Sequence, residues 1–245
     1  IYSALGFEKQ DWPLLAVLVP YTLLIMLSSY SVCRAMVMPA SFLVVLFYAI
    51  YLVVRNGVIS YQKASGLAMF SGIVIFCFYS FIRLKEMLPV EEYGYDAIFF
   101  ILLILCFAWG GDTCAYFAGR AFGKHKLCPV VSPKKTVEGA VGGVLGTMVF
   151  GVLVTVIYSI AADRMEEFTR SNIGVSMYVI IALLACVAAV LGIYGDLFAS
   201  VVKRQCGIKD YGTIFPGHGG ILDRFDSVMF IAPFVTMVVI AAFYD

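Results

Sequence analysis

The stretch GHGGILDRFDS, from Gly217 to Ser227, carries two aspartates and an arginine directly before the apolar run VMFIAPFVTMVVIAAFY, from Val228 to Tyr244. A helix that crosses a bilayer needs about 20 mainly apolar residues, so this run predicts a transmembrane helix that begins beside charged groups. Ionisable groups at membrane depth are costly, and those that occur there usually face a cavity, an ion or a partner. The stretch therefore predicts a membrane protein with a functional site at one end of its helices.

The composition of the whole chain agrees with this interpretation. Of the 245 residues, 62% are hydrophobic and only 13% are charged, and the mean hydropathy is +0.96. A soluble domain of this length needs more polar residues to cover its surface. We therefore predict an all-α, polytopic integral membrane helix bundle. The seven cysteines are odd in number and form no CxxC pair, which argues against a disulfide framework or a zinc site.

Apolar segments of membrane length recur along the chain. We predict about seven transmembrane helices, at residues 12–30, 37–54, 65–82, 96–118, 139–161, 177–199 and 227–244. Residues 1–95 would form an N-terminal group of transmembrane helices, and residues 96–245 a C-terminal catalytic region with polar loops at 119–138 and 200–226. The chain begins at Ile1, and we expect a truncated start with one or more helices missing. The glycine-rich run from Gly139 to Gly151 predicts close helix packing through small residues.

Positive charge is divided unequally between the two sides of the predicted membrane. If the spans alternate, 12 of the 17 lysines and arginines fall on one side and five on the other. The positive-inside rule places the richer side, with loops 119–138 and 200–226, in the cytoplasm and the C-terminus outside. The richer side holds Lys9, Arg55, Lys63, Arg120, Lys124, Lys126, Lys134, Lys135, Lys203, Arg204, Lys209 and Arg224.

Four acids converge on that cytoplasmic face. Asp112 and Asp196 each follow a glycine near the end of an apolar segment, and Asp223 and Asp226 precede the last one. If the last two lie on a helix, their spacing puts both on one face. Each acid alone could be part of a structural ion pair with a nearby lysine or arginine. Together they suit a divalent cation such as Mg²⁺, which takes one or two carboxylates and completes its shell with water and phosphate.

Basic residues alternate with these acids. Lys134 and Lys135 follow Ser132 and Pro133, which suit the cap and first turn of a helix, and a helix N-terminus that carries lysines is a phosphate site. Further cations follow the acid at 196, namely Lys203, Arg204 and Lys209. A basic loop beside a bilayer can also simply bind anionic head groups, and the sequence leaves this alternative open.

The glycines of PGHGG allow backbone N–H groups to approach an anion closely. Within this stretch, His218 could act as a base or serve as a hydrogen-bonding fixture. Acids, cations and glycines together predict a metal-and-phosphate site at the cytoplasmic membrane surface. Such a site suits an enzyme that joins a soluble phosphate compound to a lipid, and the residues alone do not choose the substrates.

One segment carries a specific family resemblance. SVVKRQCGIKDYGTIFPGHGGILDRFD, from Ser200 to Asp226, resembles the signature of the CDP-diacylglycerol synthases, or phosphatidate cytidylyltransferases. The fixed positions S-x-x-K-R-x-x-x-x-K-D and P-x-H-G-G-x-x-D-R-x-D are all present. The segment from Asp112 to Gly139 is similar to a second cytoplasmic stretch of the same family. Many members have glutamate where this chain has Ala199, and this difference predicts reduced activity if that glutamate positions metal or lysine.

The resemblance implies a magnesium-dependent nucleotidyltransferase of the bacterial inner membrane, with its active site facing the cytoplasm. It would transfer the cytidylyl group of CTP to phosphatidic acid and give CDP-diacylglycerol and pyrophosphate in phospholipid biosynthesis. It would work among membrane lipids, without nucleic acid, as a homodimer. The implied metal ligands are Asp196 and Asp223, with Asp112 and Asp226 available for a second cation.

The resemblance also assigns residue roles. The implied catalytic residues are Asp196, Lys203, Asp223 and Asp226. The implied substrate-binding residues are Ser132, Lys134, Lys135, Thr136, Ser200, Arg204, Lys209, Asp210, His218, Gly219, Gly220 and Arg224. Two alternatives stay open: a membrane transporter with an ion or phosphate site, and another CTP-dependent lipid enzyme such as a polyprenol kinase.

Overall fold

The computed structural model describes residues 5–8, 11–55, 59–164, 174–212 and 219–243. Helices dominate these residues, as the sequence predicts. Five of the helical spans are long and apolar enough to cross a membrane: Val32–Val54, Tyr61–Met87, Asp96–Phe122, Val137–Arg164 and Val175–Gln205. Two further apolar helices, Pro13–Met26 and Val228–Phe243, are shorter. The all-α polytopic membrane fold is confirmed, and each of the seven predicted segments contains a helix.

The N-terminal part consists of three helices: α1 (Pro13–Met26), α2 (Ser31–Val54) and α3 (Tyr61–Met87). Helices α1 and α2 pack on each other and on the start of α3 around a small apolar core that includes Leu14, Tyr48 and Leu67. The far end of α3 belongs instead to the main core, where Leu84 is fully buried. Helix α3 therefore links the two cores.

The next span is built from two helices joined by an irregular turn. After the single turn α4 (Val90–Tyr93), helix α5 (Asp96–Leu105) continues through a π-helical segment (Cys106–Gly110) into α6 (Gly111–Phe122). A short antiparallel hairpin follows, with strands β1 (Lys126–Cys128) and β2 (Ser132–Thr136). π-Helical turns in α-helices are frequent at functional sites, and Asp112 lies just beyond this one.

Three helices complete the bundle: α7 (Val137–Arg164), α8 (Val175–Gln205) and α9 (Val228–Phe243), the last preceded by a 3₁₀ turn (Leu222–Arg224). Helix α7 packs between α6 and α8, and α9 packs against α3 and α8. The main core lies where these helices meet α5, and it includes Phe107, Ile181, Ile231 and Val235, all fully buried or nearly so.

The glycine run of α7 is a packing surface, as predicted. A methyl group added at Gly142 would overlap the side chain of Ala118, and one added at Gly146 would overlap the side chain of Cys114. Such contacts allow the two helix backbones to approach more closely than larger residues would permit. The close packing fixes α6 against the first turns of α7.

Two glycines that precede acids have the same role. A methyl group added at Gly111 would lie 2.5 Å from the hydroxyl oxygen of Thr147 in α7, and one added at Gly195 would lie 2.6 Å from the carbonyl oxygen of Asp226. The glycine at 195 thus lets the start of α9 reach the helix that carries Asp196. The Gly-Asp steps noted in the sequence position their acids by allowing close helix contact.

Two details of the prediction were wrong. Ser132 and Pro133 do not start a helix: they belong to strand β2, and α7 begins at Val137. Thr136 provides the cap instead, because its hydroxyl oxygen accepts a hydrogen bond from the N–H of Gly139 at 3.1 Å. The predicted span 177–199 was also shorter than the helix, because α8 runs from Val175 to Gln205, six residues past Ala199, which corresponds to ~9 Å of helix.

Candidate functional site

A cavity of about 590 Å³ opens where α6, the hairpin, α7, α8 and the segment before α9 meet. Five cationic and five acidic side chains line it. The cations are Arg120, Lys134, Lys135, Lys203 and Arg224, and the acids are Asp112, Asp196, Asp210, Asp223 and Asp226. A site that only binds phosphate would have an excess of cations. The equal numbers therefore indicate that the carboxylates have a separate role, such as binding lysines or a metal cation.

One face of α8 carries three of the predicted residues. Asp196, Ser200 and Lys203 are four and three residues apart, a spacing that places them on one side of a helix. The hydroxyl of Ser200 donates to Oδ1 of Asp196 at 3.4 Å. The other oxygen of Asp196 lies 2.5 Å from Nζ of Lys135, which β2 brings across the cavity. The hairpin and α8 are thus joined by an ion pair.

Lys203 pairs with the carboxylate of Asp223. Its Nζ atom lies 2.9 Å from Oδ1, and both side chains are largely buried, with 12% and 9% of their surface exposed. Oδ2 of Asp223 accepts hydrogen bonds from the backbone N–H groups of Tyr211 and Gly220, at 2.8 and 2.9 Å. Burial acts to raise the pKa of Asp223, but these hydrogen bonds and the lysine outweigh it and hold the pKa below its ordinary value.

Ser227 connects two further acids of the cavity. The hydroxyl of Ser227 donates to Oδ2 of Asp112 at 2.8 Å, and the backbone N–H of Ser227 donates to Oδ1 of Asp226 at 2.9 Å. Burial raises the pKa of Asp226 to about 7, and the nearby carboxylates of Asp196 and Asp112 add to this effect. A buried carboxylate whose proton affinity is raised by neighbouring carboxylates lies where an added cation would be stabilised.

The hairpin is attached to α7 by Glu138. Its carboxylate accepts hydrogen bonds from the backbone N–H groups of Lys124 and His125, and the Nδ1 atom of His125 lies 2.6 Å from Oε1. These contacts fix the strand that carries Lys134 and Lys135. The hairpin thereby holds two cations over the acids of α6 and α8.

The acids of the cavity could hold a metal ion only with help from other ligands. Within residues 5–8, 11–55, 59–164, 174–212 and 219–243, no group of three or more His, Cys, Asp or Glu side chains is placed to hold a metal ion. Asp112, Asp196 and Asp226 nevertheless line a single cavity, and the carboxylates of Asp112 and Asp196 both act on Asp226. Such a donor set fits Mg²⁺, which needs only one or two carboxylates when water and substrate phosphates supply its other ligands.

The structure brings most of the predicted site residues together. The cavity is lined by all four predicted metal-binding or catalytic acids and by the predicted catalytic lysine, namely Asp112, Asp196, Asp223, Asp226 and Lys203. It is also lined by five predicted substrate-binding residues, namely Lys134, Lys135, Thr136, Asp210 and Arg224. Gly219 has a positive φ of 80°, and Gly220 donates to Asp223. Ser132, Arg204 and Lys209 do not line the cavity, and the last two are solvent-exposed. His218 lies outside the described residues.

The expected geometry of the last two acids is not seen. Asp223 belongs to the 3₁₀ turn, and Asp226 lies after it, before α9 begins. They therefore share no helix face, and they contact different groups: Asp223 contacts Lys203, and Asp226 contacts Ser227. The two acids therefore line the same cavity with different hydrogen-bond partners.

Two contributing residues were missed. Ser227 bridges Asp112 and Asp226, and its only sequence signal is its position directly after the charged stretch. Tyr211 contributes a backbone N–H to Asp223, places its ring 5.3 Å from the Lys203 ammonium group, and donates its hydroxyl to the carbonyl of Ala199. A backbone donor leaves no side-chain pattern, so sequence could not reveal it.

The fold and the cavity together define a class: a polytopic α-helical membrane protein with a charged cavity among the ends of its helices. The chain matches the cytidylyltransferase family over residues 3–242 and belongs to that family.

Bacterial relatives support this assignment. The chain is 32% identical over 191 residues to the phosphatidate cytidylyltransferase of Bacillus subtilis, covering 78% of the chain and 64% of that protein. It is 39% and 41% identical over 145 residues to the enzymes of that name from Staphylococcus haemolyticus and Staphylococcus saprophyticus, covering 59% of the chain and 50% of each relative. The chain thus spans between half and two thirds of the length of these relatives.

Proposed function

We propose that the protein transfers the cytidylyl group of CTP to phosphatidic acid, giving CDP-diacylglycerol and pyrophosphate. The family match and the names of the relatives support the reaction class. The single structural observation that carries the proposal is the cavity that holds both Lys203–Asp223 and Lys135–Asp196 at the ends of membrane helices. A site so placed can receive a soluble nucleotide from one side and a lipid head group from the bilayer.

The reaction joins two anions. A phosphate oxygen of phosphatidic acid attacks the α-phosphorus of CTP, a new P–O–P bond forms, and the bond from the α-phosphorus to the bridging oxygen breaks to release pyrophosphate. The protein must mainly align the two phosphates and offset their negative charge. Lys134 and Lys135 on the hairpin and Lys203 on α8 would do this from opposite sides of the cavity.

The ion pairs give these lysines a defined position before substrate arrives. Asp196 holds Lys135, and Asp223 holds Lys203, so that neither ammonium group needs to be ordered during binding. When phosphates replace carboxylates as partners of the lysines, the carboxylates become free to accept a cation. Exchange of partners therefore links phosphate binding to cation binding.

Magnesium is part of the proposal. Asp196 and Asp223 would hold the ion, with Asp112 and Asp226 available for a second one. The cavity has equal numbers of cationic and acidic side chains, so it cannot by itself offset the charge of two anionic substrates. Bound Mg²⁺ supplies the missing positive charge and polarises phosphoryl oxygens.

The location follows from the charges. We propose that the cavity faces the cytoplasm of a bacterium and that the helices lie in its inner membrane, because twelve of the 17 lysines and arginines fall on the cavity side of the predicted spans. CTP is made in the cytoplasm, so this orientation gives the nucleotide direct access. The family resemblance supports a homodimer as the working form.

The test is a transfer assay with two labels. Purified protein is incubated with phosphatidic acid, Mg²⁺ and CTP labelled at either the α- or the γ-phosphorus, and the lipid is extracted. Cytidylyl transfer places the α label in the lipid and the γ label in pyrophosphate. A lipid kinase would place the γ label in the lipid, and a transporter would label no lipid at all; either outcome would refute the proposal.

A further inference from the structure

A second cavity, of about 470 Å³, lies far from the first, between α1, α2 and α3. Its walls are mainly apolar and include Val37, Met38, Gly72, Ile75 and Phe76. All of these belong to helices of the membrane region, so in a bilayer the groove would open among acyl chains. Apolar cavities hold no ordered water but can take up apolar ligands, so an acyl chain would be a suitable occupant of this groove.

One end of the groove is polar. Ser28 is only 3% exposed. Its hydroxyl oxygen is buried and has no hydrogen-bond partner within the described residues. An unpaired buried hydroxyl costs free energy unless a ligand or water completes it. Tyr79 brings a further hydroxyl to the same lining.

Arg34 marks the mouth of the groove. Its guanidinium donates to the carbonyl of Ser28 at 3.2 Å, which fixes the arginine beside the unpaired hydroxyl. Glu86 lies 3.5 Å from Arg34, but it is held more closely by Arg83, at 2.7 Å. Two arginines share one glutamate, so these three side chains together carry a net positive charge.

The polar mouth of the groove and the first cavity lie toward opposite ends of α3. On α3, Phe70 stacks on Phe198 of α8, close to Lys203. Glu86 is sixteen residues further along the same helix, which corresponds to ~24 Å. The polar mouth at Arg34 therefore lies near the bilayer surface opposite to the one that the charged cavity faces.

We infer that this groove binds one anionic phospholipid of the opposite leaflet. The phosphate would accept hydrogen bonds from Arg34 and Ser28, and an acyl chain would lie along Gly72, Ile75 and Phe76. The cation of Arg34 and the unpaired hydroxyl of Ser28 are together complementary to a phosphodiester. They give no advantage to a lipid that lacks a phosphate. The inference does not depend on the proposed function, because none of these residues lines the charged cavity.

Native mass spectrometry of the purified full chain tests the inference. The protein in detergent is titrated with phosphatidylglycerol or, separately, with diacylglycerol of the same acyl chains, which lacks the phosphate. Bound lipid is counted after collisional removal of loosely held molecules. We expect one retained phosphatidylglycerol and about tenfold weaker retention of diacylglycerol, the size of difference expected when one charge-assisted hydrogen bond is lost.

Two variants separate the head-group contact from the groove. Arg34→Gln should remove the preference for phosphatidylglycerol. Gly72→Leu should lower retention of both lipids, because an added side chain at Gly72 meets no atom within 4 Å of its first carbon and so can extend into the groove without disturbing the fold. The matched control is Lys85→Gln, which removes an exposed cation near the same end of α3 but outside the groove and should behave as the unmodified protein.

Several results would overturn the inference. Equal retention of the two lipids by the unmodified protein would show that the groove binds acyl chains without recognising the head group. Unchanged phosphatidylglycerol retention in both Arg34→Gln and Gly72→Leu would place the bound lipid elsewhere. Loss of the preference in Lys85→Gln to the same extent would show that it arises from general surface charge. Melting curves of each variant ensure that folded proteins are compared.

Discussion

The ammonium nitrogen of Lys203 lies 2.9 Å from Oδ1 of Asp223, joining α8 to the polar segment that precedes α9. The sequence assigned these residues to different partners, the lysine to a phosphate and the aspartate to a metal. In the structure each is the partner of the other. Both side chains are largely buried, so removal of one leaves the other as an uncompensated charge.

The first prediction compares two lysines. Lys203→Ala should lower turnover about 100-fold or more, the usual cost of removing one preorganised electrostatic contact in an active site. Lys126→Ala should remain close to the unmodified protein, because Lys126 is exposed on β1 and does not line the cavity. Steady-state kinetics at saturating CTP measure both. Equal turnover of the two variants would remove Lys203 from the reaction.

The second prediction concerns pH and the acid with the raised pKa. In the metal-free protein the pKa of Asp226 is about 7, against an ordinary value of 3.8. Between these values the folded protein keeps a proton that the unfolded chain has released, so the free energy of unfolding falls as pH rises. The stabilisation is complete below the ordinary pKa and is lost as pH passes through about 7.

The Asp226→Asn variant has no carboxyl group at this position and stays neutral at every pH in this range. Its melting temperature, relative to that of the unmodified protein in EDTA, should therefore increase from about pH 5 to about pH 8. Asp163→Asn, at the exposed end of α7, is the control for general pH effects. A difference between Asp226→Asn and the unmodified protein that stays constant over this range would show that burial does not hold the proton on Asp226.

The third prediction concerns helix packing. Gly142→Ala and Gly146→Ala should each lower the free energy of unfolding by about 1–3 kcal/mol, because the added methyl group overlaps a side chain of α6. Gly72→Ala should have little effect, since nothing lies within 4 Å of the added carbon. Thermal melts in one detergent give the comparison. Equal stability of all three variants would mean that α6 and α7 do not pack through these glycines.

Much of the fold could be predicted because apolar length alone determines where membrane helices form. The segment predicted at 139–161 corresponds to α7, and the glycines in it pack as expected. The hairpin could not be predicted. Ser132 and Pro133 suit a helix cap by residue type, but Glu138 ties the backbone of Lys124 and His125 to the start of α7, and this long-range contact favours a strand.

Most of the charged residues that the sequence grouped together line one cavity, but their pairing was not predicted. The charged signature from Ser200 to Asp226 indicates which acids and lysines share a site, because the neighbouring membrane segments contain few charges. It cannot identify which lysine contacts which acid. The pairs Lys135–Asp196 and Lys203–Asp223 depend on how the hairpin and the 3₁₀ turn fold back on α8, and backbone donors such as the N–H of Tyr211 leave no pattern in the sequence.

The fourth prediction concerns orientation. In a background without other cysteines, Asp163→Cys at the end of α7 should react with an impermeant maleimide in intact cells, because that end lies on the cation-poor side. Lys126→Cys on the hairpin should react only after permeabilisation. Both positions are exposed, so access to reagent is not limited by burial. The reverse labelling pattern would place the charged cavity outside the cell.

The central claim is that Asp196 and Asp223 provide the cation site of a cytidylyl transfer reaction. Asp196→Asn and Asp223→Asn keep the shape of each side chain and remove its charge. Each substitution also removes the partner of a lysine, Lys135 or Lys203, so the response to magnesium, and not turnover alone, reports the cation role. The deciding measurement is the transfer of α-labelled CTP to phosphatidic acid across a magnesium titration, with folding checked by melting curves. We predict that each variant folds, inserts in the membrane and loses turnover by about 100-fold or more. A folded variant with near-normal turnover and unchanged magnesium dependence would contradict the claim and move the cation site to Asp112 and Asp226.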